Sequence, residues 1–357
     1  MIKVCHLTSA HDTEDDRIFL KECVSLAQNG YDVYLVERGD TYDKNGVHLV
    51  GFGDMPDSRI KRMTNGGRKT FNKALEVNAD IYHIHDPELL PYALKLKKKG
   101  KIVLFDTHED VPAQIIDKTW IWKPLRLLVS KIYKSYETYV VKRIDAVVAA
   151  TPHIAKKFEG RAKRVMDINN FPRLDDIQFH ETSFTDREAI VCYAGGIDEL
   201  RGEDIMIQAM HGVQGQLIIA GEHEVMDIPG ANISYVGRLN RAGVNALYGK
   251  SIVGLCILRP IQNYYYSQPI KMYEYMAAGI PFICSNFPLW EKVANDSGAG
   301  ICVDPMDPEM LSEKINDLLS NRNKAEQMGK NGHEYVIQKC TWAIEEKKLI
   351  GLYKTLH

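Results

Sequence analysis

Short apolar runs recur along the chain, and the stretches between them return apolar residues every three or four positions. IKVCHLT, DVYLVE, DIYHIH, KIVLFD and DAVVAA fall in the first half; AIVCYAG, QLIIAG, ISYVG, SIVGLCIL, PFICS and GICVD fall in the second. Near-continuous apolar runs of this length fit strands covered on both faces, as in parallel sheets. The intervening periodicity predicts helices at 17–29, 88–99, 124–142 and 153–160, then at 203–210, 242–249, 269–278, 288–295 and 308–320. Strand and helix alternating in two sets predict an α/β fold of two doubly wound domains. The polar, proline-bearing stretch NNFPRLDDIQFHETSFTDRE, residues 169–188, lacks a period and is the expected hinge. The expected domains are therefore 1–172 and 173–335, with a C-terminal helix at 336–357 packing back on the first. Ligands of open α/β sheets gather at the carboxyl ends of the strands, so a deep cleft between facing domains is the expected site.

Composition narrows the setting. Of 357 residues, 45% are hydrophobic and 26% charged, and no apolar run reaches the roughly 20 residues of a membrane span. MIKVCHLTSA resembles a first strand and lacks the basic start and cleavage site of a secretion signal, so a cytoplasmic location is expected. The seven cysteines form no CxxC pair, and most sit in apolar runs where a thiol acts as a small core residue. The net charge of −2 hides an asymmetry: residues 59–164 carry 23 Lys and Arg against 11 Asp and Glu. An anionic partner follows. Within that region RIKRMTNGGRKTFNKAL and KLKKKGK supply cations, and TWIWKPLRLLVSKIYKSYETYVVKR mixes them with Trp, Leu and Tyr. That last stripe is either core or a surface resting on anionic lipid head groups, where each cation contributes about 1 kcal/mol. Nucleic acid is not expected, because no recognised binding module is visible.

Two segments carry candidate chemistry. In SQPIKMYEYMAAGIPFICSN, residues 267–286, Pro269 suits a first helical position and Gly279 a left-handed terminus. Glu274 stands among Met272, Tyr275, Met276, Ala277 and Ala278. Lys271 and Glu274 either form an i, i+3 surface pair or face a ligand. In the second case the carboxylate takes the two hydroxyls of a ribose, while Lys271 and the residues Ser267, Gln268 and Pro269 at the helix start face a diphosphate. In CYAGGIDELRGEDIMIQAM, Gly195 and Gly196 let backbone approach an anion, with Arg201 at the next helix start. The alternative is a tight turn with a solvated arginine. No GxGxxG, P-loop or DxD pair is present, so no metal and no separate cofactor are expected for the diphosphate. His83 and His85 alternate along one strand and share a face. They read as a metal pair completed by His108 or Glu109, as donors to sugar hydroxyls, or as core histidines.

These segments resemble the donor-site signature of retaining GT-B glycosyltransferases of family 4, also called group 1. YAGGIDELRG, LIIAG, ISYVGRL, SIVGLCILRP and SQPIKMYEYMAAGIPFICSN follow the order of that family, and GYDVYLV, DIYHIHDPELLP and IVLFDTHED resemble its acceptor-side strands. The resemblance implies two Rossmann-like domains facing across a deep cleft, the first acceptor-side and the second binding a nucleotide-sugar. It implies Glu274 on the ribose, Arg201 and Lys271 on the diphosphate, backbone at Val236, Gly237 and Arg238 beside the base, and His108 near the donor sugar. His11, Asp12 and His85 are the further sugar- or acceptor-side candidates, in the variant first loop SAHDTEDDRIF and in HIHDP. The implied reaction is metal-independent hexosyl transfer to a lipid-linked saccharide in cell-surface polysaccharide assembly, such as capsule or exopolysaccharide. The enzyme would be cytoplasmic and peripheral on an anionic inner membrane face. Two positions depart from the family: Gly196 replaces an arginine, and Tyr266 stands where a glutamate eight residues before Glu274 is common. They support a non-catalytic partner subunit as the alternative, and the HxH pair supports a metal-dependent hydrolase.

Overall fold

A computed structural model describes residues 1–54, 65–118, 120–181, 183–222, 232–262 and 264–357. The basic residues at 59–64 lie outside them. The chain forms two units, Met1–Asn170 with Ala343–His357, and Phe171–Trp342.

Unit 1 is built on an eight-stranded sheet. In chain order its strands are β1 (Lys3–Leu7), β2 (Asp32–Glu37), β3 (Tyr42–Lys44), β4 (Val47–Gly51), β5 (Ile81–Ile84), β6 (Ile102–Thr107), β7 (Ala146–Ala149) and β8 (Val165–Asp167). The spatial order is β3-β4-β2-β1-β5-β6-β7-β8, parallel except where β3 meets β4. Val4, Leu7, Val33, Leu35, Ile81 and Phe105 are fully buried, as strands covered on both faces require. The register sets His6 of β1 beside His83 of β5.

The helix expected at 17–29 begins differently. Asp15 accepts hydrogen bonds from the Arg17 and Ile18 amides through its side chain, and its carbonyl takes both Phe19 N and Leu20 N. The widened coil of Asp16–Cys23 results, running into α1 (Val24–Gln28). Such π turns appear at functional sites, because they turn extra side chains inward. Here Arg17, Lys21 and Glu22 are buried.

The remaining helices of unit 1 are α2 (Gly67–Val77), α3 (Leu90–Lys98), α4 (Val111–Asp117), α5 (Lys123–Val141) and α6 (Pro152–Phe158). Helix α5 buries Ser130, Glu137, Val140 and Val141. Its other face leaves Leu127 and Ile132 each 60% exposed, with Leu128 and Tyr139 open beside them and Trp122 71% exposed just ahead. Most of the aromatic and basic stripe is therefore surface, while Val140, Val141 and Tyr133 pack on the core.

Unit 2 carries six parallel strands in the order β11-β10-β9-β12-β13-β14: β9 (Ile190–Ala194), β10 (Gln216–Ala220), β11 (Ile233–Tyr235), β12 (Val253–Cys256), β13 (Phe282–Ser285) and β14 (Gly300–Val303). Helices α7 (Glu203–Met210), α8 (Arg241–Lys250), α9 (Ile270–Ala278), α10 (Pro288–Ser297), α11 (Pro308–Ser320) and α12 (Arg322–Lys339) intervene. Pro269 sits just outside α9, at its cap, so the helix starts one residue later than expected. Gly279 closes α9 at φ +77°. Tyr275 fastens α9 to the sheet: its hydroxyl donates to Leu255 O at 3.0 Å, and its ring lies where a side chain at Gly254 would stand.

The 169–188 stretch is the entry to unit 2. Its short turns seat Phe184 in the core. A last helix, α13 (Trp342–Lys354), brings the fully buried Tyr353 into unit 1.

Candidate functional site

A cavity of about 530 Å³ in unit 2 is lined by the residues that end β9 and β10 and by the start of α9. Gly195 takes φ +128°, and a Cβ there would meet Lys271 Nζ at 3.4 Å. A Cβ at Gly196 would stand 2.8 Å from Arg201 Nη1. The missing side chains at this turn are thus the space in which two cations lie. Arg201 Nη1 donates to Asp198 Oδ2 at 3.0 Å, and Asp198 Oδ1 accepts from the Arg201 amide at 2.9 Å. Lys271 Nζ lies 3.5 Å from the centre of the Tyr193 ring. Burial pushes its ammonium down to about 8, and the neighbouring Arg201 charge acts in the same direction.

Glu274 is buried on the same wall. Arg241 Nη2 donates to Oε1 at 2.9 Å and the Tyr248 hydroxyl donates to Oε2 at 3.0 Å. The surface pair with Lys271 is not what the structure shows, and the donors expected from a ribose are already present in the protein. A carboxylate has about four lone-pair sites, so two remain for a ligand. Arg238 also lines the cavity and pairs with Glu222 at 3.3 Å.

The other candidates do not line this cavity. Ser267 is a turn residue, its hydroxyl donating to Tyr264 O at 2.9 Å and its carbonyl accepting from Trp290 Nε1 at 2.8 Å. Gln268 keeps a buried Oε1 without a hydrogen bond. Val236 N donates to Ile219 O, continuing the β10–β11 ladder, and Gly237 turns the chain at φ +69°.

Unit 1 assembles a second cluster. Asp106 Oδ2 lies 3.3 Å from His108 Nε2 and 3.4 Å from His85 Nδ1. Arg17 grips the same carboxylate with two bonds, Nε to Oδ2 at 2.9 Å and Nη2 to Oδ1 at 3.1 Å. Burial works against the Asp106 charge, yet Arg17 and His108 hold the carboxyl well below its usual range. The His11 ring sits 4.7 Å from the His108 ring, with Asp86 and Asp15 each 3.5 Å from one of its nitrogens. Burial opposes a charge on His11, but the Asp15 hydrogen bond and the two carboxylates raise its pKa. Asp86 gathers the loop by accepting from Thr8 Oγ1, Ser9 N and Ala10 N. Asp12 stands apart, paired with Arg38 at the exposed rim.

The expected metal pair is arranged otherwise. His83 and His85 share a face with ring centres 4.8 Å apart, but His108 meets only His85. His83 turns inward to His6, Glu22 and the Tyr353 hydroxyl.

Residues 175–335 match the family described as glycosyl transferases group 1, and residues 19–170 match glycosyltransferase family 4. The chain belongs to the group 1 glycosyltransferases. A curated relative, spore coat protein SA of Bacillus subtilis, is 23% identical over 188 residues, 46% of this chain and 48% of that protein. The chain spans about half the length of the curated relatives it matches. Sucrose-phosphate synthase from Thermosynechococcus elongatus superposes with a TM-score of 0.79 at 16% identity, over 100% of this chain and 99% of that one. Anabaena HepE, in a complex with UDP and glucose, gives 0.76 at 10% identity over 100% of both chains. The fold is GT-B.

Of the residues singled out in sequence, the fold brings Gly195, Gly196, Arg201, Arg238, Lys271 and Glu274 to one cavity, and His11, His85 and His108 to one cluster. Sequence reasoning missed Arg241, Tyr248, Asp106 and Glu22. Arg17 and Glu22 lie five apart inside the apolar run RIFLKEC, a spacing that fits a π turn and was their available signal.

Proposed function

We propose that the chain transfers a hexosyl group, with retention, from a nucleotide-sugar to a lipid-linked saccharide in cell-surface polysaccharide assembly. One observation carries this reading: two cations converge on a side-chain-free glycine turn, a geometry suited to a diphosphate, with a buried carboxylate on the same wall. Arg201 and Lys271 neutralise the charge that grows on the departing diphosphate, where preorganised donors act most strongly. Glu274, oriented by Arg241 and Tyr248, offers its remaining lone pairs to the ribose hydroxyls. With cations and backbone amides meeting the phosphates, transfer needs no metal. His108, held by Asp106, is the group assigned to the sugar, with His11 and His85 beside it. Binding of UDP and UDP-glucose by Anabaena HepE supports a nucleotide-sugar as the donor class.

The open face of α5 supports an anionic membrane as the place of work. Lys123, Arg126, Lys131 and Lys134 accompany its exposed Leu and Ile side chains, at about 1 kcal/mol for each cation near charged lipid. Among the described residues no helix is long and apolar enough to cross a membrane. A cytoplasmic enzyme resting on the inner face fits both facts.

A thermal-shift screen against nucleotide-sugars tests the donor reading: one class stabilises the protein, and Glu274→Ala abolishes the shift. No shift with any nucleotide, or an undiminished shift in the variant, removes the assignment. The second reading is a non-catalytic subunit, favoured by Gly196 and Tyr266. Donor binding with no transfer to any membrane acceptor supports it.

A further inference from the structure

On the inner side of His85, three imidazoles counting His85 itself meet a carboxylate, and apart from His85 the proposed donor and acceptor chemistry uses none of them. His6, Glu22 and His83 are fully buried and His85 is 2% exposed. The β1–β5 register sets His6 beside His83, strand alternation brings His85 to the same face, and the π turn swings Glu22 beneath them. One ligand atom from each of the four lies within 4.8 Å of every other. Glu22 Oε2 is 3.9 Å from His6 Nδ1, 3.7 Å from His83 Nδ1 and 4.0 Å from His85 Nε2. His6 Nδ1 and His85 Nε2 share a hydrogen bond at 2.9 Å, whose proton the ion would replace. A tetrahedron with metal–ligand bonds of 2.0–2.1 Å has edges of about 3.4 Å, within that range.

Without an ion Glu22 is the unsatisfied member: its buried oxygens accept no hydrogen bond from an N–H or a hydroxyl, and the group beside it is the Asp106 carboxyl, with which it can share only a proton. Arg17 Nε approaches Glu22 Oε1 to 3.2 Å, but its N–H groups are directed to Asp106 and to Ile168 O. One guanidinium shared between Glu22 and Asp106 leaves a buried negative charge uncompensated, which a further proton or cation would neutralise. The outward nitrogens already have the partners that orient metal-bound histidines: His85 Nδ1 faces Asp106 Oδ2 at 3.4 Å, and His6 Nε2 faces the Tyr353 hydroxyl at 3.2 Å. His83 Nδ1 would exchange that hydroxyl, now at 2.9 Å, for the ion.

We propose that His6, Glu22, His83 and His85 bind one divalent transition-metal ion, zinc being the fit for three imidazoles and a carboxylate in a closed four-ligand site. The overlapping triad of His85, Asp106 and His108 is the poorer site, because Arg17 occupies Asp106 on both oxygens. All four ligands are enclosed, which leaves no open position for a substrate. The ion therefore holds β1, β5 and the first helix together beneath the loop that carries His11, and takes no part in transfer. The rival occupant is a proton on Glu22.

The test uses the full chain, produced with zinc and purified without chelator. Elemental analysis should find about one zinc per chain. Reconstitution with cobalt should give the intense visible absorption of a tetrahedral site, and stripping the metal with a chelator should lower Tm by several degrees. Glu22→Gln and His83→Asn should lose metal and absorption while keeping native circular dichroism. Folded wild-type protein that stays metal-free after partial unfolding and refolding with zinc overturns the proposal in favour of the proton. So does metal retained at full stoichiometry by both variants. Should the variants not fold, the wild-type stoichiometry and cobalt spectrum decide alone. Donor binding is not read, so failure here leaves the proposed transfer reaction untouched.

Discussion

Replacing Gly196 by alanine should weaken nucleotide diphosphate binding while leaving unit 2 folded. The added Cβ would lie 2.8 Å from Arg201 Nη1, too close to remain. What yields is the tip of a flexible side chain, and only an exposed ion pair with Asp198 resists it, worth at most about 1 kcal/mol. Gly196 is not among the left-handed glycines, so alanine adds no backbone strain, and it removes freedom from the unfolded chain. Stability should therefore stay within about 1 kcal/mol of wild type or rise. Binding should suffer more. Displacing the guanidinium forfeits a charge-assisted hydrogen bond to phosphate of about 1.5–3 kcal/mol, roughly a 10- to 150-fold rise in Kd. Calorimetry with the diphosphate of the nucleotide found by thermal shift measures it. Arg201→Ala should cost a similar factor, and the double variant no more than Arg201→Ala alone, since the glycine matters only through the arginine. If the two losses add to within about 0.5 kcal/mol, the sites are independent and the reasoning fails.

Four further outcomes follow from the geometry. Lys271 loses its proton near pH 8, so Kd for the diphosphate should climb as pH passes from 7 to 9, and Lys271→Met should flatten that profile. The unfolded chain holds the same proton to a higher pH, so Lys271 favours unfolding at neutral pH, and its contribution to stability improves as pH rises above about 8; comparing the pH dependence of Tm in Lys271→Met with wild type checks the sign. Tyr248→Phe removes a buried donor from Glu274 and should lower stability by about 1.5–3 kcal/mol in urea with unchanged slope; a loss under 0.5 kcal/mol would show that the bond is not formed in solution. Leu127→Glu with Leu128→Glu should greatly reduce sedimentation with anionic vesicles while Tm stays within a few degrees, because both side chains are exposed; undiminished sedimentation rejects the α5 face as the contact.

The architecture was legible because it rests on period. Strands buried on both faces cannot avoid writing themselves as apolar runs, and the eleven runs read from sequence coincide with strands of the two sheets. What escaped lacked that contrast. Strand β4 is five residues with a histidine inside, helix α2 starts at a glycine pair without a side-chain cap, and α4 is a seven-residue helix with a proline at its second position, directly after a loop. Around the cavity, Gly195, Gly196, Arg201, Lys271 and Glu274 could be placed because turn and helix-start chemistry is local. Arg241 and Tyr248 could not, since their link to Glu274 joins residues 33 and 26 positions apart. Asp106 looked like the end of a strand, and Glu22 like one more charge on an amphipathic helix. Only the three-dimensional register shows that both are buried among histidines. The α5 stripe had an amphipathic pattern that suits core and lipid surface equally, and exposure alone separates them.

Unit 1 is discontinuous: its sheet comes from the first 170 residues, yet it also includes residues 343–357, with Tyr353 bonded to His6 and His83. During translation the ribosome must therefore make all of 171–342 between the two pieces, roughly 9–34 s at 5–20 residues per second. Through that interval the nascent sheet waits with its histidine cluster uncapped, an opening of limited duration through which solvent or an ion can enter before the last helix shuts it.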